Sequence, residues 1–175
     1  MSDSEITIHG VDFNDPQGDK EVITLLQNMG AKITVHDQSI TVHRGPRLKG
    51  ARIDIGQFID AITLLPVLAC QAEGPTHIYG GAIARSKESD RIHAIVSQLK
   101  KMGAHIEELP DGMIIHPSEL KGAQVTSFED HRMALSLSIA ALSAKGSTEI
   151  TGIESVRKSF PGYFEMLKNL GAHLE

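Results

Sequence analysis

The sequence predicts a layered α/β (α+β) domain that is built from repeats, with helices covering β-sheets. Three pairs of similar hexapeptides recur at a nearly constant spacing. NMGAKI at 28 returns as KMGAHI at 101, LKGARI at 48 as LKGAQV at 120, and THIYGG at 76 as TEITGI at 148, which gives offsets of 73, 72 and 72 residues. We therefore expect two complete units, about 4–75 and 76–147, and a partial third unit, 148–175, as part of something larger.

Each unit is predicted to begin with a short strand and an amphipathic helix that ends at a glycine. Glycine just past the last apolar-periodic residue is the expected C-terminal stop of a helix. The predicted strands are Ile6–His9, His77–Tyr79 and Glu149–Thr151, and the glycines are Gly30, Gly103 and Gly171.

A hairpin and a second helix are predicted to complete each unit. Alternating segments at 32–43 and 105–116 indicate paired strands, and Pro110-Asp111-Gly112 in the second copy is typical of a turn. Another short strand should follow each LKGA element. The more apolar second helix is predicted at Ala61–Cys70 and at Met133–Ala144.

Composition restricts the class of protein. The chain has 175 residues, 41% hydrophobic and 22% charged, which is enough to bury a real core. A net charge of −5 and few aromatic residues (no Trp, two Tyr, five Phe) argue against nucleic-acid binding. The single cysteine, Cys70, excludes an internal disulfide and is expected in the core. Without a visible signal peptide or an apolar stretch of membrane-spanning length, we expect a soluble, cytoplasmic protein.

Residues 85–92, RSKESDRI, form a dense charged run at the start of a predicted helix whose apolar residues recur at 92, 95, 96 and 99. Lys87 and Arg91 lie four residues apart, so they share a face if the first turn is already helical. Cations are unfavourable at a helix N-terminus unless an anionic ligand binds there. The alternative is a solvated charged segment that only marks the helix boundary.

Polar residues also begin the second helix of each unit. Asp60 and Arg132 correspond under the offset of 72. Asp60 is either an N-cap or a carboxylate with a chemical role. In the second unit Asp130 is the natural cap, which leaves His131 and Arg132 in the first turn.

The third unit carries a cation at a loop-to-helix junction as well, Lys158 in ESVRKSFPGYF. Three separate junctions therefore hold Lys or Arg: Lys87 with Arg91, Arg132, and Lys158. Surface cations scattered at random would not favour one structural position three times. The pattern indicates a bound anion.

Lysine, arginine and helix N-termini beside carboxylates favour small dianions such as phosphates. Phosphoryl or carbon–oxygen bond chemistry is then expected, with Asp60 and Glu88 available as base and acid. The nine histidines show no metal-ligand spacing, so we expect no metal site. No glycine-rich phosphate loop and no nucleophilic serine motif is present.

Four segments resemble the 5-enolpyruvylshikimate-3-phosphate synthase family: KESDR at 87–91, DHRMA at 130–134, KSFPGYF at 158–164 and QGD at 17–19. Their order and spacing are similar to those of the family's C-terminal half, over essentially the whole chain. The resemblance implies the enolpyruvyl transferase fold, in which each of two domains has three βαβαββ units. Residues 1–175 would be part of the C-terminal domain, with two complete copies and a partial third.

The resemblance implies a transferase of the shikimate pathway, which leads to chorismate and the aromatic amino acids. Its reaction moves the enolpyruvyl group of phosphoenolpyruvate to the 5-hydroxyl of shikimate 3-phosphate and releases phosphate, with no cofactor or metal. The implied roles are Asp60 and Glu88 in catalysis, Asp60 and Lys87 in shikimate 3-phosphate binding, Arg91, Arg132 and Lys158 in phosphoenolpyruvate binding, and His131 in a second tier.

Two positions depart from the family pattern: Ile83, where asparagine is frequent, and Ile59, where proline is common. The family's N-terminal domain has no counterpart here and is an expected partner, so the chain alone is expected to fold without catalysing. A UDP-sugar enolpyruvyl transferase and a non-catalytic phosphate-binding repeat module are the alternatives. The KESDR run argues against the first of them.

Overall fold

A computed structural model describes residues 5–14, 16 and 18–174. Gln17, the first residue of the QGD segment, lies outside the described residues. The strands are β1 (Ile6–His9), β2 (Ile33–His36), β3 (Ser39–Val42), β4 (Arg52–Asp54), β5 (Thr76–Tyr79), β6 (His105–Leu109), β7 (Gly112–His116), β8 (Gln124–Thr126) and β9 (Glu149–Thr151). The α-helices are α1 (Glu21–Asn28), α2 (Leu65–Cys70), α3 (Arg91–Lys101), α4 (His131–Ser143) and α5 (Tyr163–Asn169). Short 3-10 helices cover Gly18–Lys20, Ile59–Thr63, Ala82–Ser86 and Ile153–Lys158.

The described strands form three sheets, and the first two share one strand order. The first sheet has the order β1-β3-β2 with antiparallel pairs. The second has the order β4-β5-β7-β6, so its last three strands repeat the first sheet. β4 comes from the preceding unit and pairs in parallel with β5, and β8 pairs in the same way with β9. A strand of one unit therefore extends the sheet of the next, and the predicted mixed α/β class is confirmed.

Helices α2, α3 and α4 lie in the interior. Every residue of α2 except Leu68 is buried, and α3 buries the apolar face that its sequence period predicts. One large cluster joins these helices to the second sheet, and a smaller cluster joins α4 to α5 through Ala134, Val156, Tyr163 and Leu167. By contrast, α1 has no buried residue. Most buried apolar residues therefore belong to the second predicted unit and to the end of the first.

The predicted helix stops are confirmed. Helices α1, α3 and α5 each end two residues before a glycine with positive φ, at Gly30 (102°), Gly103 (87°) and Gly171 (96°). Only a residue without Cβ adopts this conformation at little cost. The predicted single helix Ala61–Cys70 is two pieces, a 3-10 helix and α2. Pro66 lies in the first turn of α2, where a missing N–H is tolerated.

Three further findings concern Cys70, potential metal ligands and the length of the helices. Cys70 is fully buried in α2, as predicted. Within the described part of the chain, no group of three or more potential metal ligands comes together. In the same part, no helix is both long and apolar enough to cross a membrane.

Candidate active site

Arg91 is the centre of a polar cluster at the start of α3. Its side chain is 2% exposed, yet its guanidinium contacts three carboxylates from three parts of the chain. Nε donates to Oδ2 of Asp130 at 2.9 Å, Nη1 to Oδ1 of Asp60 at 2.8 Å, and Nη2 to Oε2 of Glu88 at 2.7 Å. Burying a guanidinium is tolerated only with such partners, because an unpaired buried charge is strongly unfavourable.

Asp130 forms the buried floor of the cluster, with its side chain 0% exposed. It is the N-cap of α4, as predicted, and its Oδ1 accepts the backbone N–H of Arg132 at 2.9 Å. Its Oδ2 also accepts from the hydroxyl of Ser89 at 3.0 Å. Burial alone would raise the pKa of Asp130, but the hydrogen bonds and charge of Arg91 hold it below the ordinary value of 3.8. Asp130 is therefore an ionised anchor for Arg91.

Asp60 bridges two arginines and does not cap a helix. It lies inside the 3-10 helix Ile59–Thr63, whose N-cap position is Phe58 with no side-chain cap bond. Besides its contact with Arg91, its Oδ2 lies 2.7 Å from Nη2 of Arg132. The N-cap interpretation of Asp60 is therefore not what the geometry supports. The carboxylate is available to a ligand because its side chain is 29% exposed.

Glu88 lies on the other side of Arg91 and is more open, with 53% of its side chain exposed. Nδ1 of His131 is 4.0 Å from Oε1 of Glu88 and 3.9 Å from Oδ1 of Asp130. The imidazole thus stands beside Glu88 at long ion-pair distance. Asp60 and Glu88, which the sequence paired as base and acid, are held by the same guanidinium.

A buried hydroxyl pair fixes the two helix starts that carry Asp60 and Arg132. The hydroxyl of Ser136 donates to Oγ1 of Thr63 at 2.9 Å. Oγ1 of Thr63 in turn donates to the carbonyl oxygen of Arg132 at 3.4 Å. These contacts join the 3-10 helix to the first turn of α4 directly behind the Asp60–Arg132 pair.

The turn before Asp130 is strained. Phe128 and Glu129 have φ of 55° and 58°, a region that side chains with a Cβ rarely adopt. The Ser127 hydroxyl supports the turn: it accepts the backbone N–H of Glu129 at 3.2 Å and donates to the carbonyl of Gly152 at 2.8 Å. Unusual backbone held in this way is common at functional sites.

Two predicted cations stand apart from the cluster. Lys87 has extended backbone angles and precedes α3, so it does not share a helical face with Arg91. Lys158 ends the 3-10 helix Ile153–Lys158. Both are exposed, and among the described residues neither has an ion-pair partner or a side-chain hydrogen bond. Their role as anion ligands stays a prediction.

The accessible surface of the cluster is formed by Asp60, Glu88 and Arg132, with Arg91 beneath them. The side chain of Arg132 is 36% exposed, so its guanidinium is open to solvent. Arg91 is already opposed by carboxylates, so an anion reaches it only by replacing one of them or by its remaining Nη1 proton. The cluster therefore places two partly exposed carboxylates beside two arginines, an arrangement whose chemistry allows acid–base catalysis next to an anion.

From the sequence, Asp130 was expected to be a helix cap, Arg85 was only one charge of the run 85–92, and Ser89 had no expected role. The position of Asp130 as a helix cap does not indicate that its other carboxylate oxygen contacts Arg91, 39 residues earlier in the chain. The one indication was that an arginine buried at the start of α3 requires a buried carboxylate as its partner. Aspartates within the conspicuous segments were the natural candidates.

The family model described as EPSP synthase (3-phosphoshikimate 1-carboxyvinyltransferase) matches residues 1–167. A 3-phosphoshikimate 1-carboxyvinyltransferase of Methanocaldococcus jannaschii is 43% identical over all of this chain and 41% of its own length. Those of Ruminiclostridium cellulolyticum (42%; all of this chain, 41% of its own) and Chlamydia felis (44%; 96% of this chain, 38% of its own) are similar. A solved structure of EPSP synthase from Acinetobacter baumannii superimposes with a TM-score of 0.87 at 30% identity, covering 98% of this chain and 42% of that one.

The chain thus spans about two fifths of the length of the curated relatives it matches. The family match covers nearly all of the chain. The KESDR and DHRMA segments supply every residue of the cluster around Arg91 except Asp60. The chain belongs to the EPSP synthase (3-phosphoshikimate 1-carboxyvinyltransferase) family.

Proposed function

We propose that this chain forms one wall of an active site that transfers the enolpyruvyl group of phosphoenolpyruvate to the 5-hydroxyl of shikimate 3-phosphate and releases phosphate. One observation carries the proposal: Asp60 and Glu88 flank a single buried guanidinium at 2.8 and 2.7 Å. Two carboxylates fixed about one cation suit a reaction that removes one proton and delivers another. The other wall belongs to the part of the enzyme that the relatives have beyond the matched region.

The reaction needs two proton movements in its first step. The 5-hydroxyl oxygen adds to C2 of phosphoenolpyruvate while C3 gains a proton. Asp60 takes the hydroxyl proton, and Glu88 carries the proton to C3. In the second step the bond between C2 and the phosphate oxygen breaks, and Asp60 gives the hydroxyl proton to the leaving phosphate. C3 loses a proton to Glu88, and the double bond re-forms. Atoms and charge balance without a metal or a cofactor.

The cations of this wall hold the phosphate and carboxylate groups of the substrates. Arg132, Arg91 and Lys158 bind phosphoenolpyruvate, and Lys87 binds the phosphate of shikimate 3-phosphate. His131 stands in a second tier beside Glu88. Guanidinium groups match phosphate and carboxylate geometry through paired N–H donors. Since both substrates are small phosphate esters of primary metabolism, we assign the reaction to the cytoplasm and to aromatic amino acid biosynthesis.

A chimaera tests the proposal. The chain replaces the matching 41% of the M. jannaschii relative, and phosphate release is measured with both substrates, with each alone, and with UDP-N-acetylglucosamine in place of shikimate 3-phosphate. We expect release only when phosphoenolpyruvate and shikimate 3-phosphate are both present. A folded chimaera that turns over only the UDP-sugar, or that binds phosphoenolpyruvate without any turnover, would overturn it.

A further inference from the structure

The N–H donors of the Arg85 guanidinium all have partners, although no catalytic or binding role is proposed for Arg85. Nε donates to the carbonyl of Pro110 at 2.8 Å, and Nη1 contacts both carboxylate oxygens of Asp90, at 3.2 and 2.8 Å. Nη2 donates to the carbonyl of Leu109 at 2.7 Å and pairs with Glu108 at 2.9 Å. A surface arginine with five satisfied donors is held far more firmly than an ordinary exposed ion pair.

These contacts close the segment 85–90 on itself and fix it to the sheet. The pair with Asp90 joins the two ends of the segment, five residues apart, and Asp90 is also the N-cap of α3 through the N–H of His93 at 3.0 Å. The carbonyl of Leu109 ends β6, and that of Pro110 lies in the turn that leads to β7. Arg85 therefore sets the segment relative to both α3 and the second sheet.

Two side-chain contacts hold the middle of the segment, those of Glu88 and Ser89. Among the described residues, Ser86 and Lys87 have no side-chain hydrogen bond or ion pair, and both are exposed. Glu88 contacts Arg91, and Ser89 donates to Asp130. With no helix or strand over residues 87–90, the position of Glu88 depends on how the ends of the segment are fixed.

We propose that Arg85 is a positioning residue, whose closed contact with Asp90 and the β6–β7 turn holds Glu88 against Arg91. The proposal rests on the proposed function for the role of Glu88, but its structural part stands without it. A displacement of about 1 Å in a group that transfers a proton is enough to cost a large factor in rate.

The structural part is tested on the chain itself by amide hydrogen exchange. Arg85→Ala should speed exchange about tenfold at the amides of the 3-10 helix Ala82–Ser86, where Ala84 donates to the carbonyl of Gly81 at 2.8 Å. Opening of the segment then no longer breaks the five contacts of Arg85. The interior of α3 should stay protected because Asp90 still caps it. Arg52→Ala is the matched control: Arg52 lies in β4, is exposed, and stacks on Tyr79 at 4.9 Å without touching the segment. Unchanged exchange in Arg85→Ala would overturn the proposal.

The catalytic part is tested in the M. jannaschii chimaera. Arg85→Ala should lower kcat roughly ten- to a hundredfold with a smaller change in KM. Arg85→Ala combined with Glu88→Gln should lose no more than Glu88→Gln alone, because the two changes remove one contribution. Additive losses would indicate a general structural role and would overturn the proposal, as would unchanged kcat.

A second variant covers the case in which Arg85→Ala fails to fold. Asp90→Asn keeps an N-cap for α3 but removes the charge that Arg85 binds. It should reproduce the faster exchange and the lower kcat in weaker form. If the unmutated chimaera is inactive, the proposed function fails, and the exchange experiment alone decides whether Arg85 holds the segment.

Discussion

Asp60 and Arg132 form a 2.7 Å ion pair although they occupy corresponding positions in two successive units, 72 residues apart. Each begins the second helical segment of its unit, and the two segments pack against each other through Thr63 and Ser136. Repetition of the unit thus brings equivalent positions face to face. Because the two positions carry opposite charges, the contact between the predicted units contributes an ion pair to the candidate active site.

Substitution of either candidate catalytic carboxylate should lower turnover, whereas substitution of an exposed carboxylate nearby should not. In the chimaera, Asp60→Ala and Glu88→Ala should each lower turnover about a hundredfold or more, since each removes a proton-transfer group. The measurement is steady-state phosphate release. Glu107→Ala, an exposed position of β6, is the control and should leave turnover unchanged. If Asp60→Ala lowers only thermal stability and spares turnover, its role is structural.

The fold followed from the sequence because its signals are local. Apolar spacing, the glycine after each first helix and the turn at Pro110-Asp111 depend on neighbouring residues, and all of them are present in the structure. The sequence predicted one helix at Ala61–Cys70, whereas the structure begins this region with a 3-10 helix. The break was missed because it occurs where Asp60 pairs with Arg91 and Arg132, and these are tertiary contacts.

The site was predictable only as a set of residues. Lys87, Arg91, His131 and Arg132 were singled out because positive charge is unfavourable at a helix start. Glu88 was singled out as a carboxylate beside these cations. Their pairing was not predictable, because contacts across 31 and 39 residues depend on how the units pack. The sequence therefore assigned the charge of Arg91 to a ligand, whereas the structure satisfies it with carboxylates of the chain itself.

The buried charge of Arg91 should be important for stability. Arg91→Met removes the partner of a fully buried Asp130, which should lower the free energy of unfolding by about 3–5 kcal/mol. Arg132→Met removes a half-exposed partner of Asp60 and should cost about 0–1 kcal/mol. Urea unfolding of the two variants measures the difference. Equal losses would contradict the view that burial makes the Arg91–Asp130 pair special.

The stability of the chain should fall in acid because of Asp130. Its folded-state pKa lies below the ordinary value of 3.8, since Arg91 outweighs the effect of burial. A carboxyl group with a depressed pKa contributes stability above its unfolded pKa and loses it as the pH falls through the folded value. Urea midpoints should therefore be flat above about pH 5 and fall below about pH 4.

In Asp130→Asn this part of the acid dependence should disappear, although the variant is less stable at every pH. Asp37→Asn, at an exposed turn position, should keep the full dependence. Parallel curves for the unmutated chain and Asp130→Asn would show that other carboxyl groups cause the acid transition.

Cys70 should be inert in the folded chain. Burial in α2 raises the pKa of Cys70 to about 12, so at pH 8 only about one thiol in ten thousand is ionised. Labelling by iodoacetamide should proceed only through unfolding, and should be complete within minutes in denaturant. Rapid labelling of the native protein would mean that α2 opens locally.

The 175-residue chain, assayed alone, should fold but not catalyse. Its core of α2, α3 and α4 is closed and should give a cooperative thermal transition. The transition state, however, needs cations on both sides of phosphoenolpyruvate in a site that excludes water, and this chain supplies one wall. Phosphoenolpyruvate and shikimate 3-phosphate should therefore bind weakly, and neither should strengthen the binding of the other, as closure of two domains would. Calorimetric titration measures the binding and a phosphate-release assay the turnover. Turnover near that of the intact M. jannaschii enzyme would show that a single wall is sufficient and that the proposed division of the site is wrong.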